Sequence, residues 1–173
     1  MEGQISPSPE LRELRDLCSD FLDGEEYRAA LTKILQKAIT ITSADKGNLQ
    51  ILDPLSCTMS IKVHAGFSAQ FLQFFEDVNH RRAACETASI CLERVVVEDV
   101  RRSPLFMGTE VLQVLLEAGV EAMQSTPLIT KDRYLVGMIS THYRIPTHPT
   151  KTQLRLMDEL AEMAAEFIDL ACL

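Results

Sequence analysis

"GVEAMQSTPLITKDRYLVGMISTHYR", residues 119 to 144, sets two apolar runs about a turn at Lys131-Asp132 and holds a polar cluster inside each, Gln124-Ser125-Thr126 and Ser140-Thr141-His142. Such runs, punctuated by turn formers, read as a hairpin of two long strands. Side chains alternate between the faces of a strand, so Ser140 and His142 share one face while Thr141 and Tyr143 share the other. Pro127 has no N–H to give to a ladder, which predicts a bulge or a locally unpaired backbone there. A serine and a histidine on one face admit two readings: a nucleophile with its base, or polar groups that recognise a ligand.

Working outward, Tyr27, Ala30, Leu31, Ile34, Leu35, Ala38 and Ile39 recur at helical spacing, the single apolar face of a helix. "NLQILD" and "TMSIKVHA" follow, joined by "DPLSC", and predict a hairpin over 47–65. Gly66-Phe67 and Ser68 open a further helix containing Phe71, Leu72, Phe74 and Phe75, and the irregular "NHRRAACETASICLE" comes next. "RVVVEDV" is a short strand, "RRSPLFMG" a loop, and "TEVLQVLLEAG" a short helix between a threonine cap and Gly119. At the two ends, Ser8-Pro9-Glu10 starts a helix of about 9–22, and Pro149-Thr150-x-x-Gln153 is a capping box that launches a long apolar helix.

A chain of 173 residues with 46% hydrophobic content suits one core. A net charge of −8 and no Lys/Arg run longer than a pair argue against nucleic acid or an anionic membrane as partner. Without a leader-like start or an 18-residue apolar run, the expected compartment is the cytoplasm. The five cysteines, Cys18, Cys57, Cys85, Cys91 and Cys172, include no CxxC and suit reduced thiols better than disulfides or structural zinc. No metal is expected. The organisation predicted is an N-terminal helix over 1–24 and one domain over 25–173. Its class is α/β (α+β), with hairpins making a mostly antiparallel sheet, terminal helices on one face and the 66–119 segment over the other.

In their order, "GNLQILDPLSCTMSIKVHAGF", "RVVVEDVRRSPLF", "GVEAMQSTPLITKDRYLVGMISTHYRIP" and "LRLMDELAEMAAEFI" resemble a GAF domain of the kind found beside histidine kinase modules in bacterial signalling. The resemblance runs from about Tyr27 to Leu170. It implies a five- to six-stranded antiparallel sheet in the order 2-1-5-4-3, with a small-molecule cavity between the sheet and the irregular segment. It also implies a sensory or dimerising role without catalysis, and a separate output partner such as a histidine kinase, since no kinase or cyclase motif occurs in the chain. Two positions depart from the family pattern: Cys57 and Glu86 stand where relatives usually have glycine.

The candidates for the cavity are Phe67, Phe71, Phe75 and Phe106, which either line a ligand pocket or fill it, with Met123 beside them. Ser125, Ser140 and His142 are candidates for its floor. His80 and Cys85, with Cys91, could bind metal or haem or meet an oxidant, or be small buried groups. Asp99 could contact a ligand or accept backbone N–H bonds from the "RRSP" turn. The Cys-His dipeptide that bilin-binding relatives use for attachment is missing, and the residue set of cyclic-nucleotide binders does not map onto this chain. The cofactor therefore stays unassigned. An alternative is an enzyme similar to free methionine (R)-sulfoxide reductase, with Cys85, Cys91, Glu98 and Asp99 in its roles, although that family's His-Ile-Ala-Cys-Asp stretch is absent. Another is a ligand-free dimerisation module: Leu154, Met157, Ala161, Ala164 and Ile168 form one stripe on the last helix and Leu156, Leu160, Met163 and Phe167 a second, enough for sheet packing and a partner helix in a homodimer.

Overall fold

The computed structural model describes residues 24–56, 58–81 and 92–171, with 77–81 described as backbone only. The helix expected over 9–22 and the turn position Cys57 lie outside the described residues.

Helix α1, Glu25–Thr42, buries Tyr27, Leu31, Leu35, Ala38 and Thr42, which recur on one side of the cylinder. It stops at Ser43, whose left-handed backbone (φ 55) lets the N–H groups of Ser43 and Ala44 bond back to Thr40 and Ile39 carbonyls. Strands β1, Lys46–Asp53, and β2, Thr58–Ala65, form the first hairpin. Its turn is organised by Asp53, which accepts from the Leu55 N–H at 2.9 Å and from the Ser56 hydroxyl at 2.8 Å. Strand β3 is only Val95–Val97. Strands β4, Ala122–Ile129, and β5, Leu135–Tyr143, make the hairpin about Lys131-Asp132, with Arg133 in the left-handed region (φ 69) and a bond of 2.9 Å from the Thr130 N–H to the Tyr134 carbonyl. The five strands run in the expected order β2-β1-β5-β4-β3 with every neighbour antiparallel.

Pro127 does not break its strand. It stays in register opposite Met138, and the irregularity between β4 and β5 falls later, between Leu128 and Ile129. The reason lies on the other side of β4: β3 pairs only with Met123 to Ser125, so at Pro127 no second ladder among the described residues needs an N–H. A strand with one neighbour tolerates proline wherever the N–H would face the vacant side.

Both faces of the sheet are covered. On one lie α1 and helix α4, Lys151–Ala171, around a core that includes Leu31, Leu35, Leu49, Leu128, Ile139, Met157 and Ile168. Ala161, Ala164 and Ala165 bring α4 close to the strands. The capping box forms as expected, the Gln153 side chain accepting from Thr150 N–H at 2.9 Å while the Thr150 hydroxyl accepts from Gln153 N–H at 3.2 Å. The Gln153 amide then donates to the Thr42 carbonyl at 3.1 Å, tying the start of α4 to the end of α1. Over the other face lie helix α2, Ala69–Arg81, a 3-10 turn at Val100–Arg102, and helix α3, Glu110–Glu117. Ser68 accepts from Phe71 N–H at 3.3 Å and Thr109 from Leu112 N–H at 3.4 Å, so both expected caps are present. Phe67, Phe71, Val97, Val100, Leu115 and Val120 form the core of this layer.

One irregularity decides which residues face which layer. Leu49 pairs with Val63 but Gln50 pairs with Ile61, so Lys62 is an extra residue in β2. Met59, Ile61, Val63 and Ala65 alternate as though they shared a face. The bulge instead sends Val63 and Ala65 to the helix layer and Met59 and Ile61 to the opposite one.

Strands β1 and β5 approach closely at Gly137, where an added Cβ would stand 2.4 Å from the Gln50 carbonyl oxygen. The obstacle is backbone, which cannot swing aside as a side chain could, and the Leu128 Cδ1 stands next at 3.3 Å. Gly137→Ala is expected to destabilise the fold by about 1–3 kcal/mol, read as a lower urea midpoint at unchanged slope.

Candidate functional site

The sheet face under α2 and α3 bounds a cavity of about 220 Å³. Its floor follows from strand alternation and register. Lys46, His142 and Met123 occupy one row across β1, β5 and β4; Asn48, Ser140 and Ser125 the next; Gln50, Met138 and Pro127 the third. Of these, Asn48, Gln50, Ser125, Ser140, His142 and the two methionines line the cavity. Phe71 and Phe75 of α2, Val111 and Leu115 of α3, and Phe106 supply the roof, and Met59 and Ile61 the β2 wall. Seven sequence-derived candidates thus come together: Phe71, Phe75, Phe106, Met123, Ser125, Ser140 and His142.

The others are placed differently. Phe67 stands behind the wall, stacked on Phe71 at 4.0 Å and edge-on to His142 at 4.9 Å. Asp99 does not join the cavity: its carboxylate accepts from Arg101 N–H at 2.9 Å at the start of the 3-10 turn. That turn is further held by Arg101, whose guanidinium grips Glu121 through two bonds of 2.9 Å. His80 falls on the last turn of α2 with its side chain outside the described set, and Cys85 and Cys91 lie wholly outside it.

The two polar clusters of the hairpin are divided by the pleat. Gln124, Thr126 and Thr141 point to the helix layer, where the Gln124 amide donates to Thr126 at 3.3 Å and the Arg94 guanidinium to the same hydroxyl at 3.4 Å. Ser125 and Ser140 face the cavity directly opposite each other, their hydroxyls bonded at 2.8 Å. The Gln50 amide donates to Asn48 Oδ1 at 3.1 Å, leaving Asn48 Nδ2 and Gln50 Oε1 without a further partner among the described residues. His142 is buried, and its Nδ1 has no hydrogen-bond partner. Burial, with the nearby Lys46 ammonium as a second cause, depresses the imidazole from its ordinary 6.5 to about 3. The ring is therefore neutral at physiological pH. Lys46 itself turns away: its Nζ donates to the Ala118 carbonyl at 2.6 Å, past the end of α3, and lies 5.5 Å from the centre of the Phe67 ring.

The two serine hydroxyls bond each other and no bond joins either to His142, so the arrangement lacks the hydroxyl–imidazole contact that an activated nucleophile requires. Among the described residues no cluster of three His, Cys, Asp or Glu could hold a metal ion, and no helix is long and apolar enough to cross a membrane. A larger cleft of about 630 Å³ lies on the helix side between β4 and α4, but its rim is made of charged side chains paired with one another, Arg94 with Asp158 and Lys131 with Glu166. It has the character of a solvated surface.

Sequence reasoning missed Asn48, Gln50, Met59, Ile61, Val111, Leu115 and Met138. Asn48 and Gln50 carried a signal, two amides alternating with Leu49 and Ile51. Met59 and Ile61 carried none, because only the bulge assigns them to this face.

His142 makes stability depend on pH. Below 6.5 the unfolded chain binds a proton that the folded chain refuses, so stability falls as pH drops, by up to ~1.4 kcal/mol per pH unit, until about 3. In denaturation curves measured across that range, His142→Phe is expected to remove this part of the slope.

The fold has well-characterised counterparts. A domain assigned to a two-component sensor histidine kinase of Sinorhizobium meliloti 1021 matches with a TM-score of 0.67 at 18% identity, over 83% of this chain and 90% of that one. The GAF domain of the cyanobacteriochrome TePixJ matches at 0.68 and 18%, over 83% and 89%. A GAF domain/HD domain protein of Geobacter sulfurreducens matches at 0.61 and 13%, over 80% and 90%. No family model and no curated protein matches the sequence. On its strand order, its two helical layers and these likenesses, the chain has the fold of a GAF domain.

Proposed function

We propose that this chain is a non-catalytic sensory domain of signal transduction, whose cavity takes a small molecule and whose terminal helices pair with those of a second copy. The observation that carries the reading is the cavity floor: uncharged polar groups placed by three neighbouring strands, with a buried imidazole nitrogen left unsatisfied. A mostly apolar cavity with a few convergent polar groups is the usual form of a small-molecule site. The sensor histidine kinase and cyanobacteriochrome to which the fold is similar support a signalling role, with a histidine kinase or another output protein downstream in the cytoplasm.

Ligand contact with Phe71 and Phe75 on α2 and Val111 and Leu115 on α3 would order the roof. The same strands carry Leu49 and Ile139 into the core under α1 and α4, so a change at the floor biases the helices. Met163, Phe167 and Leu170 are exposed along α4, and Phe167 stacks on Tyr27 of α1 at 5.6 Å. This apolar strip, which takes Met163 and Phe167 from the second of the two stripes on α4 and adds Leu170, is the surface through which the copies associate. The reductase alternative has less support: Glu98 pairs with His148 at 2.5 Å and Asp99 serves the turn, both away from the cavity.

A thermal-shift screen of nucleotides, metabolites, haem and amino acids tests the ligand. A binder present at roughly 100-fold its Kd adds about 2.7 kcal/mol, or on the order of 5–10 °C in Tm for a chain of this size. That rise should vanish in Ser140→Leu, and a library without any hit refutes ligand sensing. Sedimentation velocity tests the pairing: the wild type is expected to run as a dimer and Met163→Glu/Phe167→Glu as a monomer, whereas a wild type that stays monomeric at high micromolar concentration refutes association.

A further inference from the structure

We propose that the cavity selects an uncharged, planar heteroaromatic molecule of one ring or two fused rings, bearing hydrogen-bond donors and acceptors along the edge that meets Asn48, Gln50, Ser125, Ser140 and His142. The inference rests on the ligand-binding reading above and gives it a chemical class.

Size is the first constraint. A volume of about 220 Å³ equals the liquid volume of about seven water molecules, which suits a ring system of about ten non-hydrogen atoms and is too small to enclose a tetrapyrrole or a whole nucleotide.

Charge is the second. Every polar side chain on the floor is neutral: two amides, two hydroxyls and an imidazole whose proton affinity burial has suppressed. An anionic group seated there would be desolvated with no cation in contact, since the Lys46 ammonium, although its charge reaches His142, does not line the cavity and bonds the Ala118 carbonyl, and a cationic group would find no carboxylate among the lining residues. Either costs more than a neutral group of the same shape.

Pattern and shape complete the class. Asn48 Nδ2 presents a donor and Gln50 Oε1 an acceptor. The Ser125–Ser140 pair consumes one hydroxyl proton and keeps the other to donate. The His142 imidazole, on the same floor, gives or accepts a hydrogen bond according to its tautomer. A lactam, ring amide or azine edge matches this mixture, whereas a hydrocarbon would leave it unpaired. Phe71 and Phe75, tilted against each other at 4.6 Å, offer aromatic surface from the roof against which a flat ring packs.

Four probes test the class on the full chain labelled with 15N: nicotinamide and hypoxanthine as uncharged heteroaromatics, nicotinate as the anionic counterpart of the first, and toluene as a flat molecule without polar edges. Nicotinamide or hypoxanthine should shift the His142 ring 15N resonances and raise Tm, with nicotinate and toluene weaker by at least about tenfold, the worth of one hydrogen bond to a buried group. His142→Phe should lose that preference while keeping its near-ultraviolet circular dichroism, and Ser140→Ala, a smaller change, should weaken the uncharged probes alone. Nicotinate binding as tightly as nicotinamide overturns the class and leaves the sensory reading intact. Silence of His142 towards both uncharged probes also overturns it, and the broad thermal-shift screen then decides separately whether the cavity takes any ligand.

Discussion

Everything in this molecule depends on a sheet that must bury both of its faces. Antiparallel sheets commonly leave one face in water; here β5 runs through the middle and is buried from Gly137 to Tyr143. With a period of two, each strand has to satisfy two different layers at once. On β5, Ile139 goes to the tight apolar layer beneath α1 and α4 and Met138, Ser140 and His142 to the cavity. The helix layer closes with alanines and aliphatics around the buried Gln124, Thr126 and Thr141. Among the described residues the other layer keeps a cavity, with polar groups on its floor.

The two layers are joined at more than the strands. Lys46 begins β1, shares a row with His142, and reaches up to the carbonyl of Ala118 where α3 ends. One side chain thus links an edge of the floor, the roof and the electrostatic surroundings of the imidazole. Gly66 belongs to the same arrangement: it has a positive φ of 83, and a Cβ there would press on the Lys46 stem at 2.8 Å. A displacement of α3 therefore acts on the lysine, and through it on the chemistry of the floor.

Much of this was legible in the sequence, and the division follows physical range. Caps at Ser68, Thr109 and Thr150-Gln153 and the turn at Lys131-Asp132 are local, so a few residues sufficed to place them. The alternation on β5 was equally plain, and it assigned Ser140 and His142 to one face before any coordinates. The long-range resemblance supplied the strand order, which no local pattern contains. What escaped was whatever depended on a neighbour. The bulge at Lys62 is a property of two strands in register, and it divides the alternating apolar residues of "TMSIKVHA" between the two faces. Pro127 was expected to disturb its strand, but the shortness of β3 removes the ladder that it would have broken. Asp99 had two possible partners in the sequence and one in space, the Arg101 N–H.

Pro127 has a further consequence. Because β3 begins only at Val95, opposite Ser125, the second half of β4 has no strand beside it on that side among the described residues. An open, apolar strand edge is a template on which a stray chain can grow, the first step of amyloid-like aggregation. A proline at that edge withdraws one of the N–H groups such growth would use, and Lys131 and Arg133 add charge just beyond it. The residue that looks like a fault in the hairpin thus opposes edge-to-edge growth along this half of β4.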